Sequence, residues 1–315
     1  MEVYHLADSR QLTEIDPAPV VMALGFFDGI HSGHQKVIQT AKQIADDKGI
    51  QSAVMTFYPH PAVVLGKKEN PEYLTPIEHK QRLIESLGID RLYIVEFNQS
   101  FSSLSPQQFV DEYMVGLSVQ HAVTGFDFTY GHKGKGTTET LDDHAKGRFG
   151  VTIVEKVEKN GEKVSSTKIR ELLRAGKVGE VPQYLGQPYE IYGTVVSGEK
   201  RGRTIGFPTA NIEPEGPYLI PSTGVYAVKM CLDGKWRDGV ASIGFKPTFH
   251  KNYGDQPAVE IHLFDFKEEI YGEAVVVKWF EKIREEEKFS SVDALVERMN
   301  RDAEEAKAYL KTVKG

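Results

Sequence analysis

Residues 20–49 constrain the fold of this chain more than any other segment. Val20–Leu24 is an unbroken apolar run, as expected for a strand that is buried on both faces. Residues 25–34 follow with the sequence GFFDGIHSGH. Apolar residues then recur at helical spacing up to Gly49, a residue type that commonly ends helices. The pattern predicts a buried strand, a glycine-rich turn and a helix, as in a parallel α/β sheet.

The turn between this strand and this helix has the composition of an anion-binding site. Gly25, Gly29 and Gly33 allow unusual backbone dihedral angles and close approach to a ligand. The N-terminus of the helix offers N–H groups and the positive end of its dipole. His31 and His34 flank Gly33 at that end, where imidazoles can hydrogen-bond phosphate oxygens. The turn is neither a Walker loop nor the Gly-x-Gly-x-x-Gly dinucleotide turn.

Two other interpretations of His31 and His34 stay open at this stage. An isolated His-x-x-His is most often an ordinary turn with surface histidines. A zinc site would need a third ligand at a recognisable spacing, and the only cysteine, Cys231, lies far along the chain. The buried strand before the turn and the helix after it favour phosphate binding, and the residues resemble the His-x-Gly-His signature of nucleotidyltransferases.

Length and composition limit the class of protein. A chain of 315 residues predicts two domains, and a net charge of −7 argues against a surface built for non-specific nucleic-acid binding. One cysteine excludes a disulfide framework and fits a reducing compartment. Neither a signal peptide nor an apolar run near the roughly 20 residues of a membrane span is visible. We therefore expect a soluble, cytoplasmic protein without nucleic-acid or membrane partners, whose oligomeric state the sequence leaves open.

The first part of the chain alternates predicted strands and helices. Further strands are expected at residues 51–57, 91–97, 120–124 and 151–154. Residues 75–78 and 105–108 both have the pattern of a capping box with proline at the first helical position, and their helices should end near Gly88 and Gly116. The alternation predicts a doubly wound, Rossmann-like parallel sheet, in which ligands bind beyond the C-terminal ends of the strands.

Two further clusters should lie at that edge of the sheet. In residues 125–131, Asp127 can accept a hydrogen bond from a ribose or hold an adenine edge, and Gly131 permits close approach; alternatively, Asp127 only forms the turn. Residues 165–170 place three hydroxyls before Lys168 and Arg170, which favours a second phosphate clamp over simple helix capping.

The pattern changes after Leu185. Residues 186–189 are interpreted as a linker, so the predicted domains are residues 1–186 and 187–315. Beyond the linker, strands are expected at Tyr189–Val196, Gly224–Leu232, 236–243, 259–266 and 274–280. Asp233-Gly234 is a hairpin signal, and successive short strands predict a small antiparallel barrel. A terminal helix from about Ser291 should pack on the barrel through an apolar stripe, which comprises Val292, Leu295, Met299, Ala303, Ala306 and Leu310.

Residues 198–212 contain the chemistry expected of the second domain. Glycines at 198, 202 and 206 suit a loop over phosphates, and Lys200, Arg201 and Arg203 supply positive charge. Thr209 and Asn211 alternate along an extended run, so that their oxygens can together hold Mg²⁺ with ATP phosphates. Glu260 is the candidate general base and shares a strand face with His262. A glycine-rich turn without chemistry and an outward-facing glutamate are the alternatives.

These motifs together resemble the bacterial bifunctional riboflavin kinase/FMN adenylyltransferases, also called FAD synthetases, over essentially the whole chain. The adenylyltransferase half is matched by His-x-Gly-His at 31–34, Gly-x-Asp-Phe-x-Tyr-Gly at 125–131 and Ser-Ser-Thr-x-Ile-Arg at 165–170. The kinase half is matched at 202–211 (with Gly-Phe-Pro-Thr-Ala-Asn), 243–249, 260–264 and 284–289. One departure is that the glycine-rich tail of the motif at 125–131 often carries an arginine in the family, whereas here Lys133 and Lys135 stand in different places, which leaves their roles open.

The resemblance implies two successive reactions. The barrel phosphorylates riboflavin with Mg-ATP to give FMN, and the first domain transfers AMP from a second ATP to FMN, giving FAD and pyrophosphate. The residues expected to be catalytic are His31, His34 and Glu260. ATP should be bound in the adenylyltransferase half by Gly25, Phe27, Asp28, Gly29, Gly33, Asp127, Gly131, Ser165, Ser166, Thr167 and Arg170. ATP should be bound in the kinase half by Gly198, Lys200, Gly202, Arg203, Gly206 and Pro208. The resemblance places Arg284 and Phe289 near the flavin.

Two other classes of function are considered. A class I aminoacyl-tRNA synthetase relative would also carry His-x-Gly-His, but its tRNA-binding regions should bring positive charge, which the acidic balance lacks. A flavin-binding regulator without catalysis is the second, and the intact candidate catalytic residues argue against it. Flavin redox preference and transfer of FMN between the domains are not determined by the sequence.

Overall fold

The protein consists of two compact units, Met1–Ser165 and Ser166–Gly315. The structure is a computed structural model that describes residues 1–16, 18–66, 71–198, 206–245 and 257–313. Among the helices of these ranges, none is long and apolar enough to cross a membrane.

The division between the two units follows Ser165, which is earlier in the chain than the predicted domain boundary after Gly186. Residues 166–186 form short helices that contact the barrel of the second unit. The backbone N–H of Ser222 donates to the carbonyl of Leu173 at 3.1 Å, for example. A Cβ atom at Gly179 would lie only 3.0 Å from the carbonyl oxygen of Phe280, so these short helices pack tightly there. The boundary at 186 therefore stays a prediction.

A six-stranded parallel sheet forms the first unit, in the order β1-β4-β3-β2-β5-β8. Its strands are β1 (Glu2–Leu6), β2 (Val20–Leu24), β3 (Gln51–Tyr58), β4 (Arg91–Glu96), β5 (Val119–Gly125) and β8 (Gly150–Val154). The chain runs from β2 to β3 and β4 on one side and then crosses to β5 and β8 on the other. In sheets of this kind, ligands bind at such a switch in strand order, which here lies beyond the end of β2.

Helices cover both faces of this sheet, as predicted for a doubly wound fold. Val20, Met22 and Leu24 of β2 belong to one hydrophobic core, whereas Val21 and Ala23 belong to a second core on the opposite face. The helices are α1 (Ser32–Lys48), α2 (Pro61–Val64), α3 (Ile77–Ser86), α4 (Gln99–Ser102), α5 (Pro106–Phe109) and α6 (Thr138–Ala145). Shorter elements are the 3₁₀ segments Ser9–Glu14 and His132–Gly134, the π-helical Val110–Val115, and the paired strands β6 (Thr129–Tyr130) with β7 (Gly136–Thr137) and β9 (Glu158–Lys159) with β10 (Glu162–Lys163).

The structure corrects one predicted capping box and confirms the other. Ser105 and Gln108 form the expected reciprocal pair of hydrogen bonds at the start of α5. The N-cap of α3, in contrast, is Pro76, and no side chain caps this helix. The hydroxyl of Thr75 instead accepts a hydrogen bond from the backbone N–H of Gly29 at 2.9 Å. The Thr75 hydroxyl, which the local pattern predicted to cap α3, thus makes a long-range hydrogen bond instead.

The second unit is a closed antiparallel barrel in the order β11-β12-β15-β14-β13-β16. Its strands are β11 (Tyr189–Val196), β12 (Ala210–Pro214), β13 (Gly224–Leu232), β14 (Lys235–Gly244), β15 (Ala258–Leu263) and β16 (Ala274–Arg284). The helices are α7 (Ser166–Arg174), α8 (Pro182–Leu185) and α9 (Val292–Thr312), with a 3₁₀ turn at Val178–Glu180. Asp233 and Gly234 both have positive φ, 51° and 70°, as the two-residue hairpin between β13 and β14 requires. The predicted barrel with a terminal helix is confirmed.

The buried apolar contacts of helix α9 with the barrel lie in its C-terminal half. Ala306 and Leu310 are buried in a cluster with Ala227 and Phe280. Nearer its start, Leu295 and Met299 line a cavity instead, and Val292 is 61% exposed. The predicted packing is therefore wrong for Val292, whereas Leu295 and Met299 border a cavity that residues of the barrel also line.

Candidate nucleotide and flavin sites

The turn after β2 has a strained backbone. Phe27, Gly29 and Ile30 have φ angles of 51°, 85° and 39°. Positive φ is rare for residues other than glycine, and it persists only where surrounding contacts enforce it. Phe27 and Ile30 are both buried, at 2% and 3% exposure, so apolar packing holds them in this conformation.

Asp28 fastens this turn to a distant segment of the chain. Its carboxylate accepts hydrogen bonds from the backbone N–H groups of Leu74 and Thr75, each at 3.0 Å from Oδ1. The side chain is 2% exposed. These contacts give Asp28 a role in fixing the turn. Its predicted contact with ATP stays a prediction.

His31 is a neutral hydrogen-bond donor at the N-terminus of α1. Its Nδ1 accepts the backbone N–H of His34 at 3.3 Å, so His31 acts as the N-cap of the helix. Burial lowers the pKa of His31 to about 4, and the ring is therefore uncharged near pH 7. Because Nδ1 is the acceptor, the remaining proton lies on Nε2, where it can be donated to a phosphate oxygen.

Gly33 and His34 complete this helix N-terminus. The rings of His31 and His34 are stacked, with centroids 3.6 Å apart and an angle of 16° between the planes. A Cβ atom at Gly33 would lie 3.2 Å from two atoms of the His31 ring, so glycine gives the imidazole room over the first turn. Within the described ranges, no group of three or more histidine, cysteine, aspartate or glutamate side chains is arranged to hold a metal ion.

A charged pair lies close to His31. Lys163 Nζ contacts Asp127 Oδ2 at 2.7 Å, and it also lies 4.5 Å from the ring centroid of Phe126. Both charges act on the pKa of His31, which Asp127 raises and Lys163 lowers. The structure thus brings Asp127 to the turn, as predicted, and adds Lys163, which sequence reasoning missed. Its position two residues before the hydroxyl run at 165–167 was the available signal.

The other predicted adenylyltransferase residues are placed as follows. A Cβ atom at Gly131 would lie 2.7 Å from the backbone nitrogen of Pro106, so this glycine permits close packing of two chain segments. Ser165 ends the first unit, whereas the remaining residues of that motif belong to α7 in the second unit; these are Ser166, Thr167 and Arg170. Their phosphate contacts, and the roles of Lys133 and Lys135, stay predictions.

In the barrel, Thr209, Asn211 and Glu260 come together across two strands. Asn211 on β12 lies directly opposite Glu260 on β15. The hydroxyl of Thr209 donates to Glu260 Oε2 at 3.4 Å. Hydroxyl, amide and carboxylate oxygens are the donors that Mg²⁺ prefers, so the residues present fit this ion.

Thr209 borders two cavities of the second unit. One has a volume of about 260 Å³ and is lined by Pro208, Thr209 and apolar residues of β15. The other, of about 290 Å³, is lined by Thr209, Glu260 and residues of α9. His262 supports this region because its Nδ1 donates to the carbonyl of Pro208 at 2.9 Å. Thr209 is thus accessible from both cavities, and Glu260 lines the larger one.

Arg284 and Phe289 both line the larger cavity, and their predicted place near the flavin stays a prediction. The Arg284 guanidinium forms three hydrogen bonds with Asp302, from Nε at 2.9 and 3.0 Å and from Nη2 at 2.8 Å. Asp302 lies on α9, is 2% exposed and also contacts Arg298 at 3.1 Å. Sequence reasoning missed Asp302, because it considered only the apolar stripe of α9.

The predicted phosphate loop of the kinase is described only at its two ends. A Cβ atom at Gly198 would overlap the amide of Asn211, so only glycine allows this contact. Gly206 has a φ of 85° and leads into Phe207 and Pro208. The other members of this predicted group, Lys200, Gly202 and Arg203, lie outside the described residues, as do Arg201 and the last four residues of the motif at 243–249.

Comparison with known proteins assigns each unit. A family model described as FAD synthetase matches residues 13–168, and one described as riboflavin kinase matches residues 185–310. The bifunctional riboflavin kinase/FMN adenylyltransferase of Bacillus subtilis (strain 168) is 50% identical over 315 residues, which is 100% of both chains. That of Listeria monocytogenes serovar 1/2a is 48% identical, covering 98% of this chain and 96% of the relative.

A solved structure has the same fold over the whole chain. It is described as a macrolide-efflux protein from Streptococcus pneumoniae and is 34% identical, with a TM-score of 0.88 and coverage of 98% of this chain and 99% of its own. The identity and coverage of the relatives exceed what a shared fold alone would give. This chain belongs to the bifunctional riboflavin kinase/FMN adenylyltransferase family.

Proposed function

We propose that this chain converts riboflavin to FMN in the second unit and FMN to FAD in the first. The observation that carries the proposal is the Thr209–Asn211–Glu260 group beside two cavities, in a chain whose other unit presents His31 at a helix N-terminus. ATP serves both steps, and riboflavin and FMN are the acceptors. Small molecules are thus the proposed partners, and a cytoplasmic location is proposed with them because the single cysteine suits a reducing compartment.

In the kinase step, Glu260 accepts the proton of the riboflavin 5′-hydroxyl. The oxygen then forms a bond to the γ-phosphorus of ATP as the bond to the β-phosphate oxygen breaks, and ADP leaves. The Thr209 hydroxyl, 3.4 Å from Oε2, orients the carboxylate. Thr209 and Asn211 would hold Mg²⁺, which supplies positive charge for the phosphates. Arg284, fixed by Asp302, orients the flavin in the larger cavity.

In the adenylyl transfer step, a phosphate oxygen of FMN attacks the α-phosphorus of ATP and pyrophosphate leaves. The attacking group is already an anion, so the protein has to orient the reactants and stabilise charge rather than form a covalent intermediate. His31 donates from Nε2 to a phosphate oxygen, and the N–H groups and dipole of α1 act in the same direction. Lys163 adds a positive charge next to His31.

A two-step turnover assay tests the proposal. The purified chain is incubated with riboflavin, ATP and Mg²⁺, and the flavins are separated by chromatography over time. FMN should appear first and FAD after it, and supplied FMN should give FAD without delay. Flavin binding without either product would instead support the non-catalytic regulator, and FMN without FAD would confine catalysis to the barrel.

A further inference from the structure

A lysine is buried beside the adenylyltransferase turn without a place in the proposed reaction. Lys80 on α3 is 2% exposed. Burial of a cation is costly unless it is paired and hydrogen-bonded. Burial lowers the pKa of Lys80 to about 8, and the carboxylate of Asp28 opposes this effect. A leucine or methionine would fill the space without the penalty, so the contacts of the ammonium group need an explanation.

The ammonium group is bound to the first part of the turn. Lys80 Nζ donates to the carbonyl oxygen of Phe26 at 2.7 Å and to Thr56 Oγ1 at 3.3 Å. The Thr56 hydroxyl donates to the same Phe26 carbonyl at 2.9 Å. Nζ also lies 4.4 Å from the ring centroid of Phe26, within cation–π range. Two donors, from α3 and from β3, thus fix the peptide group that precedes the positive-φ residue Phe27.

Residues 74–80 thereby hold the turn at three points. Lys80 holds the carbonyl of Phe26, the N–H groups of Leu74 and Thr75 hold the Asp28 carboxylate, and the Thr75 hydroxyl holds the N–H of Gly29. His31 follows Gly29 by only two positions in the chain. A turn with strained φ angles relaxes if the hydrogen bonds that enforce those angles are lost. Relaxation of this turn would move His31 and the first N–H groups of α1.

We propose that Lys80 is a positioning residue for adenylyl transfer, which fixes the Phe26 carbonyl and so places His31 and the N-terminus of α1 against the ATP phosphates. This inference rests on the proposed adenylyl transfer in the first unit. Lys80 acts through the backbone of the turn and does not touch the reacting atoms. Because misplacement by about 1 Å costs on the order of 10²-fold in rate, loss of this contact should be visible in kcat.

The test uses the full chain, so that the kinase step serves as an internal control for the amount of protein and for the fold of the second unit, while the unfolding temperature reports on the first unit. Lys80→Met and Thr56→Val each remove a donor to Phe26. Ser52→Ala is the matched control, because Ser52 is fully buried on the same strand β3 but is bonded to Asp90 at the other end. Lys80→Arg keeps a cationic donor. FAD formation from supplied FMN and FMN formation from riboflavin are measured below the unfolding temperature of every variant.

Lys80→Met should lower kcat for FAD formation by roughly 10- to 100-fold, with a smaller loss in Thr56→Val, partial recovery in Lys80→Arg and normal FMN formation. Ser52→Ala should destabilise the first unit but keep its kcat. Equal losses in Lys80→Met and Ser52→Ala, or a Lys80→Met variant with normal kcat, would overturn the inference. If Lys80→Met does not fold, a normal kcat in Thr56→Val overturns it and a reduced kcat supports it. Failure of the wild-type chain to make FAD would contradict the proposed function instead.

Discussion

In the first unit the turn after β2 and the start of α1 provide proposed phosphate contacts from one continuous stretch of chain, whereas in the second unit the proposed contacts come from side chains on neighbouring strands. The turn after β2 offers the neutral ring of His31 and helix N–H groups, and buried contacts from residues 74–80 hold it in shape. The barrel instead assembles half-buried oxygen donors, Thr209, Asn211 and Glu260, through strand register. We infer that catalysis in the first unit depends on backbone position and in the second on individual side chains.

The largest effect should come from the barrel. Glu260→Gln keeps the size of the side chain but removes the proton acceptor, so FMN formation should fall by roughly 10²-fold or more. FAD formation from supplied FMN should be unchanged. The control is Glu213→Gln, an exposed carboxylate on β12. Rapid FMN formation by Glu260→Gln, measured by chromatography, would rule out Glu260 as the base.

A similar loss should occur in the first unit through a different cause. His34→Ala removes a phosphate contact and the ring that stacks on His31, so FAD formation should fall on the order of 10²-fold while FMN accumulates. His5→Ala, an exposed histidine on β1, is the control. Near-normal FAD synthesis by the His34 variant would show that the turn does not act through this pair.

Asp302→Asn tests whether the flavin cavity depends on a fixed guanidinium. Loss of charge-assisted hydrogen bonds to Arg284 should raise the KM for riboflavin roughly tenfold and leave the KM for ATP unchanged. Asp293→Asn, in the exposed first turn of α9, is the control. An equal rise in both KM values would indicate a general loss of barrel structure rather than a specific effect on the flavin.

Thr209→Ala tests the proposed Mg²⁺ site. Loss of a hydroxyl ligand should raise the Mg²⁺ concentration for half-maximal FMN formation several-fold, and Thr209→Ser should behave like the wild type. The Mg²⁺ dependence of FAD formation in the same protein is the internal reference. A Thr209→Ala variant with the wild-type Mg²⁺ dependence would argue against this residue as a ligand.

The smallest effect concerns acid stability. The pKa of His31 is about 4 in the folded protein, against about 6.5 in the unfolded chain, so its contribution to stability is complete above pH 6.5 and is lost as the pH falls towards 4. His31→Asn can keep the helix cap but cannot titrate, so its unfolding temperature should fall less than that of the wild type between pH 7 and pH 5. Parallel curves for the two proteins would contradict the assignment of a buried neutral ring.

Local patterns were sufficient for the parts of the fold where one periodicity dominates. The apolar run of β2, the spacing in α1 and the Asp233-Gly234 hairpin each specify their element within a few residues. Strand β1 was missed because it is an edge strand in which only Leu6 is buried, which leaves no alternating apolar pattern. The sixth barrel strand, β12, was treated only as an extended run, since its sequence gives a weak strand signal.

Sequence reasoning missed the contacts that join the site to distant parts of the chain. Asp28 and Leu74 are 46 positions apart in the chain, and Lys80 and Phe26 are 54 apart. No local sequence pattern predicts that a lysine on α3, Lys80, donates a hydrogen bond to the carbonyl of Phe26 at the end of a distant strand. Asp302 likewise looks like any exposed acidic residue of an amphipathic helix until Arg284 is placed beside it. Motifs thus indicate candidate ligand-binding groups, whereas the residues that position those groups become visible only once the fold brings distant segments together.

The division of α9 into two halves has a consequence for substrate range. Its C-terminal half anchors the helix through Ala306 and Leu310, while Leu295 and Met299 only border the proposed flavin cavity. Shortening either of these two side chains enlarges that cavity of about 290 Å³ without disturbing the anchor. The barrel should then fold as before and phosphorylate bulkier flavin analogues. On this one helix, Ala306 and Leu310 would determine stability, and Leu295 and Met299 would determine substrate selectivity.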